Sequence, residues 1–262
     1  MATEAIPKFV GMVTISTVNN TFAFWESSVS DSSVTLDDGD YWPDELAAHL
    51  ETKLNAVVTG WTCSVGASTG LLTISRSSGT WYPKNTTSQT NKAGSGGDTN
   101  VDTEQALAAG EKAPNHMGFL VDSTTPSNAL SHTADIPMSG SWYPTEPPAV
   151  YEPFYSKVVK VSESVSGVLY HADYTGTGKG RDGYRFEFQY QEEADRLLLT
   201  YDWWKWYASA GGIVRYYPDR SASDYLSMQL AAENCESEPF SRQQMGFNWF
   251  RGAFSMRIVY GA

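Results

Sequence analysis

The sequence predicts an α+β chain, mainly β, built as two β-rich units with sandwich- or barrel-like sheets and one amphipathic helix in each. Three observations predict it. Aromatic residues reach 13% of the 262 positions, with nine Trp and fifteen Tyr among many Ser, Thr and Gly, a composition suited to pleated, half-buried surfaces. Short runs of alternating apolar and polar residues recur between Gly-, Asn- and Ser-rich turns, as in "YRFEFQYQ". Only two long stretches switch to helical spacing, with "TEQALAAG" offering a further helical turn or two.

The first unit is expected over residues 1–150. "FVGMVTIS" and "NTFAFWESS" read as two short strands around the turn-prone Asn19-Asn20. "SVTL" is a strand and "DDGD" a turn, and Pro43 then stands where a first helical residue is favoured. Asp44 and Glu45 complement the positive end of the helix dipole, and Leu46, Leu50 and Leu54 recur every four residues as one apolar stripe closed by Gly60. "WTCSVGASTGLLTISRSS" follows as two alternating strands about a "STG" turn. The order is β-β-α-β-β.

From about Lys84 to His116 the chain turns polar and Gly/Ser-rich ("KNTTSQTNKAGSGGDTN") and is expected as a long surface loop before order returns at "HMGFLVD". One internal echo stands out: Gly79-Thr80-Trp81-Tyr82-Pro83 against Gly140-Ser141-Trp142-Tyr143-Pro144, too short to establish a repeat. The four prolines of "YPTEPPAVYEPFY" force an extended run, and the boundary between the units is placed there, near Val150.

The second unit is expected over residues 151–262. "SKVVKVSESVSGVLYHADY" gives strands separated by Ser/Gly turns, and "YRFEFQYQ" sets Tyr184, Phe186, Phe188 and Tyr190 on one face. Between Glu192 and Gly212 the period changes: Leu197, Tyr201 and Trp204 fall at helical spacing and Gly211-Gly212 closes a Trp-rich helix. "IVRYYPD" and the terminal "FSMRIVYGA" are strands, the last tied into a sheet, and "DYLSMQLAAE", open to strand or helix, reads as a strand on the alternation of Leu226, Met228 and Leu230.

Bulk properties narrow the function. A formal net charge of −12 repels phosphate backbones, which argues against a general nucleic-acid binder. Cys63 and Cys235 lie far apart with no Cys/His cluster, so neither a disulfide framework nor a structural zinc is expected. "MATEAIPKFVG" has no apolar signal core and no stretch approaches about 18 apolar residues, so a protein made in a cytoplasm, without a membrane span, is expected.

No stretch carries a catalytic, cofactor or metal signature. "YTGTGKGRDGY", from Tyr174 to Tyr184, fails as a phosphate loop: Gly180 follows Gly178-Lys179 where a hydroxyl is needed, and a strand follows rather than a helix. It is expected to be a hairpin tip, a place for a contact between subunits. Asp37, Asp38, Asp40, Asp44 and Glu45 lack the spacing of a calcium loop and read as a turn plus an acidic first helical turn. His49, His116, His132 and His171 are scattered without ligand spacing, and no G-x-S-x-G elbow is present. No catalytic, cofactor-binding or metal-ligating residue is therefore assigned. Trp81, Trp142 and the cluster "YDWWKWY" read either as core and partner-covered rings or as a platform for sugar.

The stretch "VTLDDGDYWPDELAAHLETKLN…WTCSVGASTGLLTIS…NHMGFLVD…ADIP" resembles a pattern found in virion proteins of tailed bacteriophages and other DNA viruses. The matching residues are Gly39, Tyr41, Glu45, Leu46, Leu54, Asn55, Thr69 to Ile74 and Gly118-Phe119, spanning about the N-terminal half. The resemblance implies a non-enzymatic virion subunit of tail, neck or baseplate type, assembled in the host cytoplasm. Its partners would be copies of itself and neighbouring virion proteins. No site residue comes with it. The alternative is a carbohydrate-binding module that recognises a host-surface glycan.

Overall fold

The computed structural model describes residues 5–17, 20–84, 117–119, 129–144, 147–156, 159–163, 169–173, 181–191, 203, 211–230, 240–241 and 250–259. They form an α+β fold that is mainly β, with one helix, and every strand pairing among them is antiparallel. The expected polar loop after Lys84, the Gly-rich stretch 174–180 and all of the expected second helix except Trp203 lie outside the described residues.

The N-terminal strands are β1 (Lys8–Val10), β2 (Val13–Ile15), β3 (Thr21–Glu26), β4 (Ser30–Thr35) and β5 (Gly39–Tyr41). Helix α1 (Pro43–Val57) follows, then β6 (Trp61–Val65), β7 (Leu72–Arg76), β8 (Trp81–Lys84) and β9 (Ser131–Thr133). They make three small sheets: β2 with β5, β4-β3-β8, and β6-β7-β9. The two strands expected on either side of Asn19-Asn20 do not pair with each other, because β2 pairs with β5 and β3 lies between β4 and β8.

α1 starts at Pro43 as its sequence requires, and Glu45 reaches back to accept the Trp42 N–H at 3.2 Å. Leu46, Leu50 and Leu54 are all fully buried, so one stripe of the helix supplies its attachment. They join Val13, Phe22, Phe24, Trp61, Ile74, Trp81 and Phe119 in a first core drawn from residues 13 to 138. The expected hairpin of β6 and β7 is present, in register from Trp61↔Arg76 to Val65↔Leu72.

The C-terminal strands are β10 (Val150–Ser156), β11 (Val159–Glu163), β12 (Leu169–Asp173), β13 (Arg181–Gln191), β14 (Ile213–Tyr217), β15 (Leu226–Leu230), β16 (Phe240–Ser241) and β17 (Phe250–Ile258). Six strands run β1-β14-β15-β17-β13-β10, and β16 also pairs with β17. The last strand is thus held inside the sheet, paired with β13, β15 and β16.

The pairing of β10 to β13 is nested: β10 pairs with β13, and β11, between them in sequence, pairs with β12. The stretch 174–180 therefore joins two strands that are not each other's partners, and the expected hairpin between "GVLYHADY" and "YRFEFQYQ" is not formed. The longer run of backbone bonds offered by β10 and β17 takes both edges of β13.

The second core gathers Phe9, Trp142, Phe186, Phe188, Trp203, Val214, Tyr216, Met228, Phe254 and Met256. Phe9 belongs to it although it lies at the other end of the chain, because β1 pairs with β14 rather than with its sequence neighbours. Its ring has six aromatic neighbours with centroids 5.2–6.4 Å away.

Candidate functional site

The five acidic residues around the start of α1 are dispersed over separate structural partners. Asp37 pairs with Lys53 at 2.7 Å, Asp38 accepts from Asn20, and Asp40 accepts from Thr14 at 2.6 Å. Asp44 lies 3.8 Å from Arg215, and Glu45 caps the helix. No group of three or more His, Cys, Asp or Glu with metal-binding geometry occurs among the described residues.

The histidines are likewise apart. His132 is buried with Nε2 2.6 Å from the Trp81 carbonyl, and its ring meets the Trp81 ring edge to face. His49 stacks on Tyr41 beside Asp37. His116 lies outside the described residues, and His171 stands in β12 opposite Val161. Burial, with the Glu51 charge adding to it, pushes the Cys63 thiol up to about 12, which leaves it unreactive. Cys235 lies outside the described residues.

The deepest polar contact is Glu26 with Arg76. Both side chains are nearly inaccessible, and Arg76 Nη2 donates to Glu26 Oε1 at 3.0 Å. The other carboxylate oxygen accepts the Ser28 and Val29 N–H groups at 2.8 and 3.2 Å, so one residue closes the turn between β3 and β4. Burial works against the charge, but the hydrogen bonds from Ser28 and Arg76 outweigh it and hold the carboxyl below its usual range. Arg76 also donates to the Thr59 carbonyl and lies over the Trp61 ring. With every contact within the fold, the pair is a staple.

Of the two readings of the aromatics, core or sugar platform, the described rings follow the first. Trp81, Trp142 and Trp203 are each exposed by 1% or less. A ring wrapped on both faces by protein offers nothing to a sugar, so these three are core residues; Trp204, Trp206 and Tyr207 lie outside the described residues. The internal echo explains two of them. Gly79 and Gly140 both turn the chain at positive φ (79° and 83°), and two residues later each Trp enters a backbone pair, Trp81 with Ala129 and Trp142 with Phe9. The two five-residue motifs therefore do the same thing, once for each core.

Two surfaces that sequence reasoning missed remain. One is a seam of cations between the two halves. Arg215 of β14 lies 3.8 Å over the Trp42 ring and 4.9 Å from the Tyr225 ring, close to Asp44. Lys8 donates to the Ala67 carbonyl at 2.8 Å and sits 4.3 Å over Tyr217, while Arg220 donates to the Ser68 and Pro144 carbonyls. Burial, with Arg220 adding repulsion and Asp219 opposing both, depresses the Lys8 ammonium. The seam fixes the start of α1 and the β6–β7 turn against the large sheet. The Asp-Glu run and the Tyr-Tyr pair were visible in the sequence, but nothing local joins them.

The other surface is a tyrosine ladder on β10, β13 and β14. Tyr151 and Tyr184 stack at 4.7 Å and 7°, Tyr216 lies 6.1 Å from Tyr151, and the phenols are hydrogen-bonded through Tyr151. Burial first, and then the bond with Tyr184, pushes Tyr151 up to about 12 even though 41% of the residue is exposed. Phenols held neutral in this way pack and donate, and do not act as bases near neutrality.

Among the described residues no helix is long and apolar enough to cross a membrane. No protein-family model matches this chain, and no curated protein matches it.

Proposed function

We propose that this chain is a non-enzymatic structural subunit of a tailed-bacteriophage particle, a tail, neck or baseplate component that works through contacts with its own copies and with neighbouring virion proteins. The observation that carries the reading is the nested pairing of β10 to β13. Its inner pair, β11 with β12, is a two-stranded sheet with no third strand among the described residues. Such a ribbon is marginal in water by itself and gains stability by packing against or pairing with something further. A neighbouring subunit supplies that support in a repeated assembly.

The placement of the polar groups supports the same reading. Glu26, Arg76, Asp37 and Lys8 are engaged with turns, carbonyls and ion pairs, and Asp40 accepts from the Thr14 hydroxyl, so each has a partner within the fold. The resemblance at Gly39, Tyr41, Glu45 and Leu46 falls on β5 and the first turn of α1, which is where a shared scaffold would show. The glycan-binding alternative loses part of its motivation, since Trp81, Trp142 and Trp203 are buried, while Trp204, Trp206 and Tyr207 lie outside the described residues.

The test is a mass-spectrometric inventory of purified particles from a host carrying the gene. The chain is expected in fixed stoichiometry with the tail proteins. Its absence from intact particles, with the protein abundant in the lysate, overturns the proposal.

A further inference from the structure

His49 has a bonding arrangement that depends on its charge. On α1, its Nε2 lies 3.1 Å from the main-chain nitrogen of Asp37, which donates to it. The same Nε2 lies 3.5 Å from Asp37 Oδ2. An N–H donor requires a lone pair on Nε2, so the ring proton of the neutral imidazole belongs on Nδ1. A carboxylate within reach requires the opposite, a proton on Nε2. One residue thus presents both a donor and an acceptor to one ring nitrogen.

We propose that His49 is a pH-operated latch on the turn between β4 and β5. Neutral, it holds the Asp37 N–H. Protonated, it releases that N–H and pairs instead with the Asp37 carboxylate. The proton enters at Nε2, the only ring nitrogen free of one, and turns an acceptor into a donor.

The surroundings confine the change to this turn. Leu36 is anchored on one side by its N–H to the Asn20 carbonyl, and β5 is anchored on the other by its ladder with β2. The Tyr41 ring stacks on His49 at 5.2 Å while its hydroxyl donates to the Asp37 carbonyl at 3.0 Å, so ring and turn are held in register. Of the charged groups on α1, Lys53 binds the other Asp37 oxygen at 2.7 Å and Glu45 is committed to the Trp42 N–H. On the turn and β5, Asp38 and Asp40 are committed to Asn20 and Thr14. The Lys53 hydrogen bond also holds the Asp37 carboxyl below its usual range, so Asp37 stays ionised while an imidazole titrates. The latch stands apart from the proposed role in a particle and survives if that role fails.

The experiment is a ¹⁵N-histidine NMR titration of the full chain from pH 8.5 to 5, with the Asp37 amide followed in parallel. At pH 8.5 His49 is expected as the Nδ1–H tautomer. As it protonates, the Asp37 amide proton is expected to move upfield and to lose about two- to tenfold in exchange protection, corrected for intrinsic rate, the net worth of one hydrogen bond. Asp37→Asn keeps the N–H and removes the anion, so the His49 midpoint is expected at lower pH. The Nε2–H tautomer at pH 8.5, an Asp37 amide indifferent to the titration, or an unmoved midpoint in D37N each overturns the latch.

Discussion

Phe9 and Trp142 are joined twice. Their rings stack at 5.2 Å and 19°, and their backbones exchange hydrogen bonds of 2.9 and 2.7 Å in both directions. The contact ties the first strand to the start of the large sheet and puts an N-terminal residue at the centre of the C-terminal core. Phe9→Ala is expected to cost about 3–5 kcal/mol, as deletion of a fully buried aromatic does. Urea denaturation followed by tryptophan fluorescence measures it, and a loss below about 1 kcal/mol contradicts the central placement of the ring.

The Glu26–Arg76 staple gives a signed pH dependence. The folded carboxyl is held below its unfolded value of about 4.3, so the stabilisation is complete above that value. It is lost as pH falls through the lower, folded value. Wild-type stability is therefore expected to fall steeply below about pH 4. Glu26→Gln is expected to cost about 3–5 kcal/mol at neutral pH, because it leaves the Arg76 charge buried without its partner. It also flattens part of the acid-side fall, which denaturation midpoints from pH 7 to 3 will show.

Gly79→Ala tests the echo motif. A methyl group there comes within 2.7 Å of Glu26 Oε1 and demands a side chain at φ 79°. The backbone term alone is about 1–2 kcal/mol. Coupling with E26A, read from a double-mutant cycle, is expected because E26A removes the oxygen that the added methyl meets. Strict additivity would mean that the two sites do not meet.

Much of this fold was legible before the structure. The stripe Leu46–Leu50–Leu54, Pro43 at the first helical position, and the β6–β7 hairpin are set by bonds between near neighbours, and local pattern reveals them. The alternation of Phe186 and Phe188, and of Met228 and Leu230, likewise reports a buried face. What was not legible depends on strand partners far apart in sequence. β1 chose β14 over β2, and β13 chose β10 and β17 over β12, which dissolved the expected hairpin. Trp81 and Trp142, open in the sequence to either a core or a platform role, fall into the cores for the same reason. Whether Trp81 or Trp142 is covered depends on which sheet packs over it, and no five-residue motif encodes that.

The seam between the halves should respond to shape as well as charge. The Arg215 guanidinium carbon lies 3.8 Å from the centre of the Trp42 ring, so Arg215→Lys keeps the charge but removes the group that makes this contact. Arg215→Lys and Arg215→Ala are expected to be similarly destabilising, by about 1–2 kcal/mol. Full retention of stability in R215K would reduce the seam to simple charge pairing.

The central claim is that this chain completes its surfaces by assembling, and native mass spectrometry of the purified chain across a concentration series tests it most directly. The predicted result is a discrete, symmetric oligomer at a whole-number multiple of 28.8 kDa that grows in with concentration. A strictly 28.8 kDa monomer at every concentration, with the 85–116 segment ordered, would contradict it.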